Sequence, residues 1–403
     1  MDRLSFDKVF HHKESLNQWI ETGDTYPVHM QIGLINGCNH RCPWCSIAQM
    51  QQHARPDMID PYRLVQFLSE MKGYGLKAVT IVGNGEPLSH PMAGEIIQQI
   101  GKLGLEIGIF TNASYLDEDR AEMLLKYATF VRMTLNGANW ETYQLTHGLQ
   151  HDSAQHEFER CIENMRLFAD QRDIRGINSL PTVGIQCATH QWNYRELPEQ
   201  ALLVRDTIKA DYFSIKPVIN RSPFHGRRVT DTRPRNAIDL EELEPILKAC
   251  EALQTDTFQV YAKREQFQEA LPHDFNDGRD YVSCIALPFE AYIHENGNFD
   301  ICGPIKLGGT YATQPLVRSE LDEIQGKSTP EEGPFNIYKM GFAEIWHSEE
   351  RRRMIDSINL NHCPAACRPH PLNKILWGIK KEGIPAWASN LGTPSSDLHV
   401  NFL

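Results

Sequence analysis

Three cysteines fall within the eight residues "CNHRCPWC", as Cys38, Cys42 and Cys45 at the spacing C-x3-C-x2-C. Thiolates are soft donors that select zinc or iron–sulfur clusters. Structural zinc takes four ligands, and His40, inside the loop, is the immediate fourth candidate. A disulfide would pair two thiols and strand the third. A cubane iron–sulfur cluster can accept three thiolates and leave one iron open to a substrate or cofactor. The spacing leaves both zinc and cluster standing.

A second set lies late in the chain. Cys284 and Cys302 bracket a stretch ending in "FEAYIHENGNFDIC", and Cys363 and Cys367 form C-x3-C in "HCPAACRPH". Alternating residues that meet at Asn-Gly predict a hairpin, which is expected to bring Cys284 towards Cys302. Four thiolates would complete a shell for one cluster or one structural zinc. Cys161 and Cys250 sit on helical patterns and read as small apolar core residues.

The elements that must position these groups follow from periodicity. Apolar runs at 28–35, 77–83, 105–111, 130–136, 182–188 and 212–218 read as strands. Amphipathic stretches such as "DPYRLVQFLSEMKGYG" and "HPMAGEIIQQIGKLG" lie between them and end in glycine, as helices often do. Six such alternations predict an α/β fold with a parallel sheet and right-handed crossovers, either open or a partial barrel. Chemistry in these folds gathers at the C-terminal strand ends. The cysteine loop, "GNGEP" (83–87), "TNAS" (111–114) and "NGAN" (136–139) all follow strand ends and should converge on one rim.

Beyond residue 236 the punctuation changes. A helix at "DLEELEPILKACEAL" leads to the cysteine-bearing hairpin, and 308–336 is polar and Gly/Pro-rich, as a surface insertion would be. The expected division is an N-terminal extension (1–27), a barrel (28–236), a helical connector (237–280) and a cysteine-bearing C-terminal region (281–403). The loop "NRSPFHGRRVTDTRPRN" carries Arg221, Arg227, Arg228, Arg233 and Arg235 against one aspartate. At the rim it would offer guanidinium forks to a phosphate, carboxylate or nucleotide; otherwise it is a solvated basic loop. Lys216, in "SIKP", is a candidate proton acceptor or substrate contact, or half of an ion pair.

The formal charge of −12 argues against a broadly basic nucleic-acid surface. The first residues, "MDRLSFDKVFHHKES", lack the apolar core of a secretory signal, and no run reaches the length of a membrane span. The cytosol is the expected compartment, where thiols stay reduced and serve metals or catalysis more than disulfides.

The motifs together resemble the radical S-adenosylmethionine (SAM) superfamily. "CNHRCPWC" is similar to its C-x3-C-aromatic-x-C signature, with Trp44 at the aromatic position. "GNGEP" resembles the Gly-Gly-Glu-Pro loop that binds the amino end of SAM, which makes Gly83, Gly85 and Glu86 cofactor-binding candidates. "TNAS" resembles the Thr-Asn-Gly after the third strand. "RMTLNGAN" resembles a Ser-x-Asp-Gly stretch, with Thr134 and Asn136 in place of serine and aspartate and a ribose contact expected of Thr134. The resemblance covers roughly residues 28 to 220. It implies a partial (β/α)6 TIM-like barrel, a [4Fe-4S] cluster on Cys38, Cys42 and Cys45, SAM on its open iron, and a 5′-deoxyadenosyl radical. It also implies flavodoxin or ferredoxin as reductant. The second cysteine set, with "FAEIWHSEERRRMIDSI" upstream of its last pair, resembles the SPASM/Twitch extension. Four cysteines suit the shorter Twitch form with one auxiliary [4Fe-4S] cluster.

Cys187, near a predicted strand end, is either a packing residue or a thiol placed to return a hydrogen atom to a substrate radical. The expected reaction is hydrogen abstraction followed by net oxidation of a small anionic or hydroxylated metabolite, such as a sugar, cyclitol or nucleotide. The alternatives are modification of a ribosomally made peptide, redox-neutral epimerisation or elimination, and a non-catalytic zinc protein.

Overall fold

The computed structural model describes residues 5–45, 56–176, 180–219, 236–270, 279–302, 334–360, 363, 367–389 and 399–403. A helix, α1 (Lys13–Thr22), precedes an alternating series. It runs β1 (His29–Gly33), α2 (Pro61–Gly73), β2 (Ala78–Val82), α3 (Ala93–Lys102), β3 (Glu106–Thr111), α4 (Glu118–Tyr127) and β4 (Ala128–Thr134). Next come α5 (Trp140–His147), α6 (His151–Ile174), β5 (Thr182–Thr189), α7 (Leu197–Leu202), β6 (Tyr212–Pro217), α8 (Leu240–Glu251), β7 (Gln259–Ala262) and α9 (Arg264–Ala270). A hairpin of β8 (Glu290–Ile293) and β9 (Phe299–Asp300) follows.

Helix starts are set by side-chain caps. Asp60 accepts from the Arg63 amide, with Pro61 opening α2; Asp117 caps α4 and Asn139 caps α5. All six predicted strands are present, the fourth beginning two residues earlier than its apolar run suggested. β7 was not foreseen, because "QVYA" is only four residues long and has no clear alternation.

The nine strands form one sheet in the order β7-β6-β5-β4-β3-β2-β1-β8-β9, and among the described residues it does not close. Every pairing is parallel except β8 with β9. The hairpin at Asn-Gly is present, its turn closed by His294 and Asn298. β8 lies alongside β1, with His29 opposite Glu290. Phe299, Phe342 and Trp346 belong to the same apolar core as Ile32 and Ile81. The barrel and the hairpin of the C-terminal region therefore share a sheet and a core.

Alternation sorts the strand residues. Val131, Met133, Val183, Ile185, Phe213 and Ile215 pack into the helical layer. Phe130, Arg132, Gln186, Ser214 and Lys216 face a cavity of about 410 Å³ on the concave side. Residues 399–403 close the N-terminal ends of the strands. There His399 meets the Thr182 hydroxyl at 3.0 Å, and Phe402 sits edge-on to Phe130 with centroids 4.9 Å apart.

Candidate active site

Cys38, Cys42 and Cys45 occupy the loop after β1, at the rim where the sequence placed them. The loop is anchored to the C-terminus of α5: the Arg41 amide donates to His147 O at 2.9 Å. Gly148 caps that helix at φ +61°, where a Cβ would stand 2.1 Å from Arg41 O. Only glycine satisfies both demands.

His40 is not a fourth ligand in this arrangement. Its Nε2 lies 3.1 Å from Glu157 Oε1, and its Nδ1 lies 3.1 Å from His147 Nδ1 and 3.3 Å from Asn112 Nδ2. Because the Asn136 amide donates to His147 Nε2, the network assigns the protons as His147 Nδ1–H to His40 and His40 Nε2–H to Glu157. Burial works against the Glu157 carboxylate, but hydrogen bonds from His40 and Ser114 and the charge of Arg160 outweigh it and hold it at about 2. Both imidazole nitrogens thus serve the protein interior, and the zinc alternative loses its nearest fourth donor.

Burial pushes the Cys38 thiol up to about 12, with the charges of Glu86 and Cys45 adding to it. Cys42 is raised further by burial and by the other two thiols. Part-buried thiols whose charges oppose one another's ionisation suit a cationic centre that stabilises them as thiolates. Among the described residues, no three His, Cys, Asp or Glu side chains crowd together as they would around one ion.

The "GNGEP" loop packs directly on the cysteine loop. The Glu86 amide donates to Gly37 O at 2.9 Å, and a Cβ on Gly85 would lie 2.0 Å from the same oxygen. This close approach leaves bare backbone at Gly83 and Gly85, the cradle expected for the amino end of SAM. The Glu86 carboxylate itself is engaged internally, by the Leu88 amide at 3.0 Å, the Thr111 hydroxyl at 2.5 Å and the Asn112 amide at 2.7 Å. It braces the loops after β2 and β3 against each other. Asn84, fully buried, donates to Glu295 at 2.7 Å and meets His294 Nδ1 at 3.2 Å, which ties the loop to the β8–β9 turn.

Thr134 ends β4 half-buried at the rim. The Asn136 carboxamide oxygen accepts from the Ala188 amide at 2.8 Å, so it staples β4 to β5 rather than presenting itself to a ribose. Cys187 corrects the expectation of a radical-quenching thiol. Its neighbours Gln186 and Ala188 line the cavity, so strand alternation turns Cys187 the other way, into the helical core. There the Asn193 amide nitrogen lies 3.5 Å from its sulfur, and burial raises it to about 12.

Burial raises Cys284 to about 12 and Cys363 to about 11, and each also feels the Cys367 sulfur, so the three share a neighbourhood without being drawn together as ligands around one ion. Asn373 donates to Cys284 Sγ at 3.3 Å, and Arg279 lies 4.0 Å from Cys367 Sγ. Cys302 follows β9, but the hairpin register sets position 302 opposite 290 rather than opposite Cys284. The hairpin therefore does not itself pair the two cysteines. Arg221, Arg227 and Arg228 lie outside the described residues.

Sequence reasoning missed Arg132, which projects from mid-β4 into the cavity; it named Cys367 as a metal ligand but not as a residue lining the same cavity as Trp44 and Lys216. The signal for Arg132 was available. It shares the parity of Phe130 and Thr134, so a charge at 132 is an inward charge.

Residues 32–184 match the family model of the radical SAM superfamily. The chain carries a radical SAM domain. A [4Fe-4S] cluster and SAM are the cofactors of that domain, and the part-buried cysteine triad with its glycine cradle fits them. The tungsten-containing aldehyde ferredoxin oxidoreductase cofactor-modifying protein of Pyrococcus furiosus is 24% identical over 177 residues, covering 43% of this chain and 47% of that protein. The chain spans about half the length of the curated relatives it matches. Among solved structures, SuiB of Streptococcus suis bound to S-adenosylmethionine aligns with a TM-score of 0.57 at 14% identity, over 84% of this chain and 70% of that one. Native anSMEcpe with bound AdoMet and Cp18Cys peptide aligns at 0.52 and 13%, over 85% and 89%. These likenesses show a shared fold. No helix among the described residues is long and apolar enough to cross a membrane.

Proposed function

We propose that this radical SAM enzyme abstracts a hydrogen atom from a small substrate held in the barrel cavity, and that the net reaction is an oxidation. When bound, the cluster and SAM at the first cysteine set supply the abstracting radical, and a second [4Fe-4S] cluster supplies an electron acceptor. The residues that would hold the second cluster are Cys284, Cys363 and Cys367, with Cys302 as the fourth candidate. The observation that carries this reading is that one cavity reaches Cys367 of the second set and the residue next to Cys45 of the first. Trp44, beside Cys45, and Cys367 line the same space.

The remaining residues of the chain divide the other tasks. Gly83 and Gly85 present backbone to SAM, while Glu86 and Asn136 hold the strand-end loops in register. Lys216, on the cavity wall, would serve as a substrate contact. Residues 399–403 close the floor, which restricts water at the lower end. Because Cys187 faces away, a redox-neutral outcome lacks the thiol once assigned to it. A cavity of about 410 Å³ falls at the small end of ligand sites, which favours a metabolite.

Anaerobic reconstitution tests the proposal. The wild type should bind roughly eight irons and, once reduced, cleave SAM to methionine and 5′-deoxyadenosine. Cys42→Ala should abolish cleavage, and Cys363→Ala should lose only the second cluster's share of iron. Two zinc ions per chain with no deoxyadenosine would end this reading.

A further inference from the structure

The chain carries a net charge of −12, yet the described residues lining the cavity include Lys8, Arg132, Lys216, Lys263 and Arg368 and no aspartate or glutamate. Two of these cations belong to the floor. Lys8 Nζ donates to Phe402 O at 3.3 Å; Arg368 donates to Leu403 O at 2.6 Å and to Glu290 at 3.3 Å. Arg132 is different. Its guanidinium carbon stands 4.8 Å from the Phe110 ring centre, 5.6 Å from Phe130 and 5.7 Å from Tyr212, and its Nε donates to the Tyr212 hydroxyl at 2.9 Å. No carboxylate among the described residues pairs with it.

Three rings fix the plane of a half-buried guanidinium and take up one of its N–H groups, leaving the terminal fork to the cavity. A desolvated cation without an acidic partner is costly unless an anion arrives to meet it. Lys216 faces the same space from β6, and Lys263 does so from the end of β7, where its amide donates to Ile215 O at 2.9 Å. We propose that the cavity takes an organic anion, with a carboxylate or phosphate group seated on the Arg132 fork and Lys216 and Lys263 adding to the field. Calling that anion the substrate rests on the radical reading above; its binding does not.

The test is calorimetric titration of the full, anaerobically reconstituted chain at low salt with glucose 6-phosphate, glucuronate and glucose, each with saturating SAM present. At least one charged hexose should bind about tenfold or more tighter than glucose. Arg132→Gln should erase that preference, and Arg132→Lys should keep part of it. The stronger of the two charged probes then identifies phosphate or carboxylate. Should Arg132→Gln fail to fold, Lys216→Gln tests the same charge, with a severalfold loss expected. Equal binding of charged and neutral hexoses, no binding by any of them, or a preference that survives Arg132→Gln overturns the proposal. So does a preference seen without SAM that disappears once SAM is added, since Arg132 would then hold the carboxylate of SAM. The titration needs no turnover, so absence of SAM cleavage would sink the radical reading and leave this one standing.

Discussion

Gly85→Ala should separate the two loops that form the SAM cradle. The new Cβ would start 2.0 Å from Gly37 O, 2.6 Å from Gly37 C and 2.8 Å from Gly37 N. All three are backbone atoms, so no side chain can swing aside. The gap must open by more than an ångström to reach the ordinary contact range, which begins at 3.4 Å. That movement also stretches the Glu86 amide hydrogen bond to Gly37 O beyond use, from 2.9 Å. Overpacking of this kind costs about 1–3 kcal/mol, and the lost hydrogen bond adds about 1 kcal/mol. The displaced backbone is the surface proposed to meet the amino end of SAM, so affinity should fall at least about tenfold, in line with a loss of about 1.4 kcal/mol or more. Two measurements check this: urea unfolding for stability, and calorimetric titration of SAM into the anaerobically loaded protein. Gly94→Ala is the matched control, because its Cβ meets only Met123 Cγ at 3.5 Å within a helix. It should raise stability by about 0.5–1 kcal/mol. Wild-type SAM affinity in Gly85→Ala would refute the assignment of this loop.

Three further outcomes are expected. Asp211 accepts from buried Arg172 and from the Val183 amide. Asp211→Ala should cost about 2 kcal/mol in urea unfolding, since Arg172 keeps Asp173 at 2.7 Å while losing one charged hydrogen bond, and an unchanged midpoint would contradict that role. Asn84→Ala leaves the buried Glu295 without its donor at 2.7 Å and should cost about 2 kcal/mol, much of it recovered in Asn84→Ala/Glu295→Gln; strictly additive losses would exclude the coupling. His12, lowered to about 4 by burial against its hydrogen bond to Val400 O, stays neutral in the folded chain. Between pH 6.5 and 4 the unfolded chain takes up a proton that the fold refuses, so stability is full above 6.5 and falls as pH drops towards 4. The His12 share is about 3 kcal/mol at most, read as the difference in pH dependence between wild type and His12→Asn. Parallel curves for the two would show that His12 does not contribute.

Local pattern made much of this molecule readable. Apolar runs bounded by glycine marked six strands, and loops following their ends marked the rim, because both signals are carried by neighbouring residues. Parity was also available in the sequence but was underused. Counting from Gln186 or Ala188 turns Cys187 outward, and counting from Thr134 turns Arg132 inward. What the sequence could not show was long-range. The pairing of β8 with β1 joins residues some 260 positions apart, as in His29 opposite Glu290, and no short-range signal encodes it. His40 was ambiguous for the same reason, since its partners Glu157, His147 and Asn112 come from three other elements. The hairpin was legible from Asn-Gly, yet its register, which sets 302 against 290, depends on where the strands begin.

The placement of β8 on β1 bears on any effort to dissect or recombine this protein. Cutting the chain before the hairpin would uncover a full row of amide and carbonyl groups along β1, a ready template for other chains to extend into aggregates. Grafting on a foreign C-terminal module would require its first strand to match the His29–Gly33 ladder, residue for residue. The cavity is therefore more readily altered through side chains on the concave wall than through exchange of whole modules.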